Sequence, residues 1–173
     1  NSIELARVID RGIRESGFID MKALCIKKGE KVYQVFVDIF AINDDGNLMD
    51  VAGLAALIAL GRARMPIYNE EEDKIDGYDE KKGIPLNKEV LSFSMTFHKI
   101  GDAIVADVSK EEEAVSKFRL TIAMGDNEGK PRITAMQKGL AGTISDKDME
   151  TILKLAESKW SDMFPKIRED VFG

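Results

Sequence analysis

The sequence predicts an α+β chain in which helices pack on antiparallel strands. Three observations carry that expectation. Apolar residues recur at helical spacing near the start and again near the end of the chain. Period-two alternation fills much of the second half. Gly- and Asp-containing turns divide the runs at short intervals. The element order is α-β-β-α, a loop, then β-β-(α)-β-β-α.

Residues 3–16 read as a helix, because Ile3, Ala6, Ile9 and Ile13 recur at helical spacing with Leu5 and Val8 widening the stripe. Ser2 is placed to cap its start and Gly17 to stop it. Residues 21–26 form a short apolar strand, and the polar stretch 27–31 a turn. Residues 32–43 are rich in β-branched and aromatic side chains, including Val35, Phe36, Val37, Ile39 and Phe40, and predict a long strand. Asp44-Asp45-Gly46 ends it. Asn47 then caps a helix running from 48 to about 62, with Asp50 at the capping-box position. That helix is apolar nearly all round, as in a helix buried between layers or against a partner. Met65-Pro66 breaks it.

Residues 69–82 are acidic, contain Gly77, and read as a surface loop between two halves. In residues 90–99, Leu91, Phe93, Met95 and Phe97 alternate with Ser92, Ser94, Thr96 and His98, the pattern of a half-buried strand. Gly101-Asp102 turns into a return strand over 103–108. Ser109 and Glu112 make a capping box for a short helix, and residues 118–124 and 130–137 make a hairpin. Ser145, with Asp148, caps a last helix whose stripe includes Met149, Ile152, Ala156, Trp160 and Ile167, with a kink expected near Pro165. The domain division is therefore 1–68, an acidic connection at 69–89, and 90–173.

At 173 residues the chain holds one ordinary domain or two small lobes sharing a core. Its longest apolar run, 51–60, is half of what a bilayer-spanning helix needs, so no transmembrane helix is expected. Asn1 is not a Met, so a processed or trimmed chain is expected, and the first residues lack a signal-peptide pattern. Cys25 is alone, which excludes an intrachain disulfide and suits a reducing cytoplasm. His98 is the single histidine, which excludes a His/Cys zinc site within the chain and any two-histidine mechanism. Its place in an alternating strand argues against a catalytic triad. The net charge of -6 disfavours a whole-surface polyanion binder, so any nucleic-acid contact needs a local basic patch or a site shared with another subunit.

That patch is on the first helix. Arg7, Arg11 and Arg14 are spaced i, i+4, i+7, so their guanidiniums project from one face, opposite the apolar stripe. Three forked donors along about 10 Å of helix suit successive phosphates of one strand. The competing reading is a solvated face neutralised by Glu4, Asp10 and Glu15. Other motifs are weaker. Lys138-Gly139-Leu140-Ala141-Gly142 contains a GxxG but follows a strand, so it reads as a glycine turn rather than an RNA loop. Asp44-Asp45-Gly46-Asn47 lacks the alternating ligands of a calcium loop. Glu111, Glu112 and Glu113 suit the first turn of a capped helix better than a magnesium site. No cofactor and no metal is expected.

The string from Glu4-Leu5-Ala6-Arg7 through Asp10-Arg11-Gly12-Ile13-Arg14-Glu15-Ser16 resembles the non-catalytic RNase PH-like subunit of the archaeal exosome ring. Three further segments agree in order and spacing. They are Val35-Phe36-Val37-Asp38 leading to Asp45-Gly46-Asn47-Leu48-Met49-Asp50, then Ile104-Val105-Ala106-Asp107 followed by Glu111-Glu112-Glu113, and Met136-Gln137-Lys138-Gly139 with Gly142. The resemblance covers essentially the whole chain, whereas the family has a substantial portion ahead of the first helix.

The resemblance implies a two-half RNase PH-like architecture, its first half ribosomal-protein-S5-domain-like and incomplete here. It implies an alternating ring with a catalytic RNase PH-like paralogue, RNA-binding cap subunits, single-stranded RNA as the bound polymer, and no membrane. On the family's pattern Arg7 and Arg11 fall on arginines that help hold RNA, and Arg14 matches less closely. Catalytic relatives carry a small-residue and Arg turn for phosphate where this chain has Gly46-Asn47-Leu48-Met49, and Leu48 and Met49 cannot donate to an anion. They also carry a second aspartate where this chain has Lys117-Phe118-Arg119. The resemblance thus implies the inert partner. Two other readings compete with it: an autonomous nuclease using Asp107, Glu112 and Glu113, and a plain protein-interaction domain.

Overall fold

Helix α1 spans Ser2–Arg14 in the computed structural model, which describes residues 2–173 apart from the side chain of Ser2. The expected Ser2 cap therefore lies outside the described residues. Ile9 and Ile13 of the stripe are buried, and the chain leaves the helix through Gly17 at a φ of 75°. Ser16 fastens that exit, its hydroxyl donating to the Ile13 carbonyl at 3.1 Å and accepting from the Phe18 N–H at 3.2 Å.

Strands β1 (Cys25–Lys27) and β2 (Lys31–Val32) form a small antiparallel hairpin around Gly29. The long strand expected over 32–43 is not formed beyond Val32. From 34 to 43 no backbone hydrogen bond between main-chain groups is present among the described residues. β-branched composition favours a strand only where a neighbour takes its N–H and C=O groups, and this segment has none. Phe36, Phe40 and Ile42 are 76%, 85% and 100% exposed.

Helix α2 spans Leu48–Arg62 and buries Ala52, Ala56, Leu57 and Leu60. The region expected to be an acidic loop is a hairpin instead, of β3 (Arg64–Asn69) and β4 (Lys74–Gly83). Its acidic residues are the solvated outside of a ladder. Its turn is held by Asn69, whose Oδ1 accepts from the N–H groups of Glu71 and Glu72.

The second half is built on a four-stranded antiparallel sheet. Its strands are β5 (Ser92–Ile100), β6 (Ala103–Ala106), β7 (Arg119–Asn127) and β8 (Lys130–Gly139), in the order β6-β5-β7-β8. Helix α3 (Lys110–Ala114) carries the expected capping box of Ser109 and Glu112. Helix α4 (Asp146–Phe172) carries that of Ser145 and Asp148, and continues through Pro165, where a kink is expected, to Phe172. Its buried stripe of Ile152, Ala156, Trp160, Phe164, Ile167 and Val171 covers the sheet, and Phe164 stacks on Phe93 with centroids 6.5 Å apart. Helix α2 is inserted against both β5 and α4, so the two halves share one core. The connection is tied back to the first half by backbone bonds from Asp20 N–H to the Pro85 carbonyl and from Asn87 N–H to the Phe18 carbonyl.

The expected capping box of Asn47 and Asp50 does not form. Asn47 adopts a left-handed conformation with a φ of 49° and makes no side-chain cap. Asp50 turns inward instead, accepting from the N–H and from the hydroxyl of Thr96, each at 2.7 Å.

Candidate nucleic-acid interface

The three arginines of α1 are all exposed. Helical geometry puts them on one side, but their carboxylate neighbours then part them. Arg11 leans toward Glu15, with Nε 3.3 Å from Oε2, and Arg14 leans the other way to Asp10, with Nη2 2.9 Å from Oδ2. Both pairs are more than half exposed. Such i,i+4 pairs are worth about 0.3–0.5 kcal/mol, so a phosphate displaces them readily. Arg7 makes no ion pair among the described residues.

Arg7 and Arg11 line one cavity of about 550 Å³ with Glu4, Val8 and Gln137. Arg11 also lines an adjoining cavity of about 340 Å³ between α1 and the sheet, together with Ser92, Ser94, Thr121 and Thr134. Arg14 belongs to neither. It borders a third, mostly apolar cavity of about 640 Å³ formed by α1 and residues 32–39. The structure thus brings Arg7 and Arg11 together on one cavity and sets Arg14 apart.

One residue of this site was not predicted. Arg119, on β7, reaches Glu4 of α1 in a partly buried ion pair, with the two side chains 18% and 36% exposed. The same Glu4 oxygen accepts from Gln137 Nε2 at 3.3 Å. Gly139, opposite Arg119 across the β7–β8 ladder, makes room for it: a Cβ there would stand 2.8 Å from Arg119 Nη2. In the sequence Arg119 registers only as a position lacking an acid.

The acids of the nuclease reading are engaged elsewhere. Asn47 donates from its backbone N–H to Glu113 Oε1 and from Nδ2 to Asp107 Oδ1, each at 2.9 Å. Lys110 pairs with Asp44 at 3.0 Å, and Glu112 closes its capping box. Gly46 lets the two loops touch, since a Cβ there would lie 2.3 Å from the Val108 carbonyl oxygen. Asp107 and Glu113 therefore clasp the turn ahead of α2. Among the described residues no group of three or more His, Cys, Asp or Glu side chains is placed to hold a metal.

His98 is buried. The Ser116 hydroxyl donates to the Phe118 carbonyl at 2.7 Å, so its oxygen accepts from His98 Nδ1, 3.1 Å away. Nε2 is then buried without a partner, and burial lowers the imidazole pKa. A neutral imidazole closed off in this way is a core residue. Gly142 in the GxxG stretch is a packing glycine, because a Cβ there would lie 2.2 Å from the Lys117 carbonyl oxygen.

Among the described residues no helix is long and apolar enough to cross a membrane.

Residues 1–66 match domain 1 of the 3′ exoribonuclease family, and residues 92–159 match domain 2 of that family. The exosome complex component Rrp42 of Thermococcus kodakarensis is 39% identical over 173 residues, covering 99% of this chain and 62% of that protein. Its counterpart in Pyrococcus furiosus is 42% identical over 162 residues, covering 90% and 57%. Among solved structures, an Archaeoglobus fulgidus exosome with RNA bound to the active site matches at a TM-score of 0.74 and 37% identity, covering 95% of this chain and 61% of that one. An archaeal exosome core matches at a TM-score of 0.77 and 35% identity, covering 100% and 64%. The chain thus spans about three fifths of the length of these relatives.

Proposed function

The chain belongs to the 3′ exoribonuclease family, and on that premise we propose that it is a non-catalytic, RNA-binding subunit of an exosome ring. The observation that carries this reading is the placement of Arg7 and Arg11 on one cavity, while Asp107 and Glu113 are engaged by Asn47. Two guanidiniums one helical turn apart suit neighbouring phosphates of a single strand. Such contacts fix position and carry little sequence information, which suits a subunit that holds RNA of any sequence for a neighbour to degrade.

The division of labour follows from the residues. Asp107 and Glu113 are hydrogen-bonded to Asn47, and Leu48 and Met49 offer no side-chain donor to phosphate at the start of α2. The chemistry, attack of phosphate on the 3′-terminal linkage, belongs in this reading to a catalytic RNase PH-like paralogue alternating with this chain, with RNA-binding cap subunits at the ring's entrance. Arg14 joins the RNA path only if it leaves Asp10. The family matches, which end at 66 and resume at 92, support the division into 1–68, 69–89 and 90–173. The ring is assigned to the cytoplasm.

Co-expression of the chain with the paralogue from the same organism tests the reading. The expected result is a complex of both that releases nucleoside diphosphates from RNA in the presence of phosphate. Failure of the two to copurify would contradict it.

A further inference from the structure

We infer that Arg119 is a positioning residue for the RNA groove, one that holds the Glu4 carboxylate away from Arg7. The inference rests on the RNA-binding reading of Arg7 and Arg11. Glu4 lies three residues before Arg7 on the same helix, at the separation where opposite charges pair. Both side chains line the same cavity, so an untethered Glu4 would neutralise Arg7 and present a negative charge to incoming phosphates. The structure does not pair them. The Glu4 carboxylate is taken by the Arg119 guanidinium, and the same oxygen accepts from Gln137.

Three features make this an arranged contact. Arg119 is largely buried at the end of β7, its side chain only 18% exposed, so the pair is less screened than the ion pairs of Arg11 and Arg14. Gly139 leaves open the space the guanidinium occupies, and a Cβ would press on its Nη2, Cζ and Nε atoms at 2.8, 3.0 and 3.0 Å. The partners come from α1, β7 and β8, so the contact also fixes the first turn of α1 against the sheet and sets where Arg7 and Arg11 stand over the groove.

The test uses the complex with the catalytic paralogue and a short fluorescein-labelled oligoadenylate, and reads the slope of log affinity against log salt. Arg7→Ala is the reference and flattens the slope by about 0.7, the share of one phosphate contact on a single strand. Arg119→Met is expected to flatten it by a smaller amount, because Glu4 then competes with phosphate for Arg7. Adding Glu4→Gln to Arg119→Met is expected to restore the slope, which a purely structural role for Arg119 would not allow. Should Arg119→Met fail to assemble, Gly139→Ala displaces the guanidinium while keeping every charge, and is read in the same way with and without Glu4→Gln. An unchanged slope in Arg119→Met or in Gly139→Ala, beside a flattened one in Arg7→Ala, overturns this inference and leaves the RNA-binding reading standing. A flattened slope that Glu4→Gln does not restore overturns it too. An unchanged slope in Arg7→Ala overturns the RNA-binding reading and this inference with it.

Discussion

Asp50 and Thr96 are joined twice, the carboxylate of α2 accepting both the backbone N–H and the hydroxyl of β5 at 2.7 Å. Burial raises the Asp50 pKa from 3.8 to about 6, against the pull of Thr96 and Asn47 and with a further push from Asp107. The folded state therefore binds this proton more tightly than the unfolded one. The resulting stability is full below about pH 3.8 and is lost as pH rises through about 6. Across that window the change is on the order of 3 kcal/mol. His98, lowered by burial, contributes with the opposite sign, losing stability as pH falls below its unfolded value. Asp148, held down to about 2 by Lys99, loses its contribution only as pH falls from 3.8 through about 2. Urea unfolding of wild type and Asp50→Asn across this range isolates Asp50. The difference between them should grow in favour of Asp50→Asn as pH rises through about 6, and parallel profiles would contradict the assignment.

The crossing of α2 and α4 gives a pair of predictions of opposite sign. A Cβ on Gly61 would lie 2.0 Å from the Val171 carbonyl oxygen, so Gly61→Ala forces the helices apart at a cost of about 1–3 kcal/mol. Gly53, in the same helix, has nothing within 4 Å of the added atom. Gly53→Ala should therefore stabilise by about 0.5–1 kcal/mol through helix propensity alone. Denaturation midpoints decide both, and a stabilising Gly61→Ala would show that the helices do not meet backbone to backbone there.

Asp107 serves the fold. Asp107→Asn should lower stability by about 1 kcal/mol through the weakened bond to Asn47. It should leave phosphorolysis by the isolated chain, expected to be absent, unchanged. Phosphate-dependent release of nucleoside diphosphates by this chain alone, lost in Asp107→Asn, would restore the nuclease reading.

Legibility tracked how local the determinant was. The boxes of Ser109 with Glu112 and Ser145 with Asp148 are visible in sequence because cap and partner lie three residues apart. Asn47 and Asp50 show the same spacing, yet Asp50 is claimed by Thr96, 46 positions away, and the box fails. The strand over 32–43 fails because strands need a partner that propensity does not supply. The hairpin of β3 and β4 is hidden because its outward residues are charged, which reads as loop. At the site, the stripe of Arg7 and Arg11 follows from helical periodicity, while the parting of Arg14 depends on which carboxylate each side chain meets. The Arg119–Glu4 pair spans 115 positions and has no local signal.

The unpaired segment makes the isolated chain prone to association. Phe36, Phe40 and Ile42 stand exposed on backbone with open hydrogen-bonding groups. The chain alone should bind a hydrophobic dye and self-associate in light scattering, and Phe40→Lys with Ile42→Lys should reduce both. A strictly monomeric wild-type chain that leaves the dye dark would contradict this.

Arg7 and Arg11 are proposed to hold RNA phosphates for a catalytic neighbour. Single-stranded RNA binding by the complex carrying Arg7→Glu and Arg11→Glu, measured against salt, tests this most directly. With assembly checked by size and composition, the expected result is weaker binding to every RNA sequence and a slope flattened by about 1.4, the share of two phosphate contacts. A normally assembled double variant with unchanged affinity and unchanged salt slope would mean that the two arginines are only a solvated face.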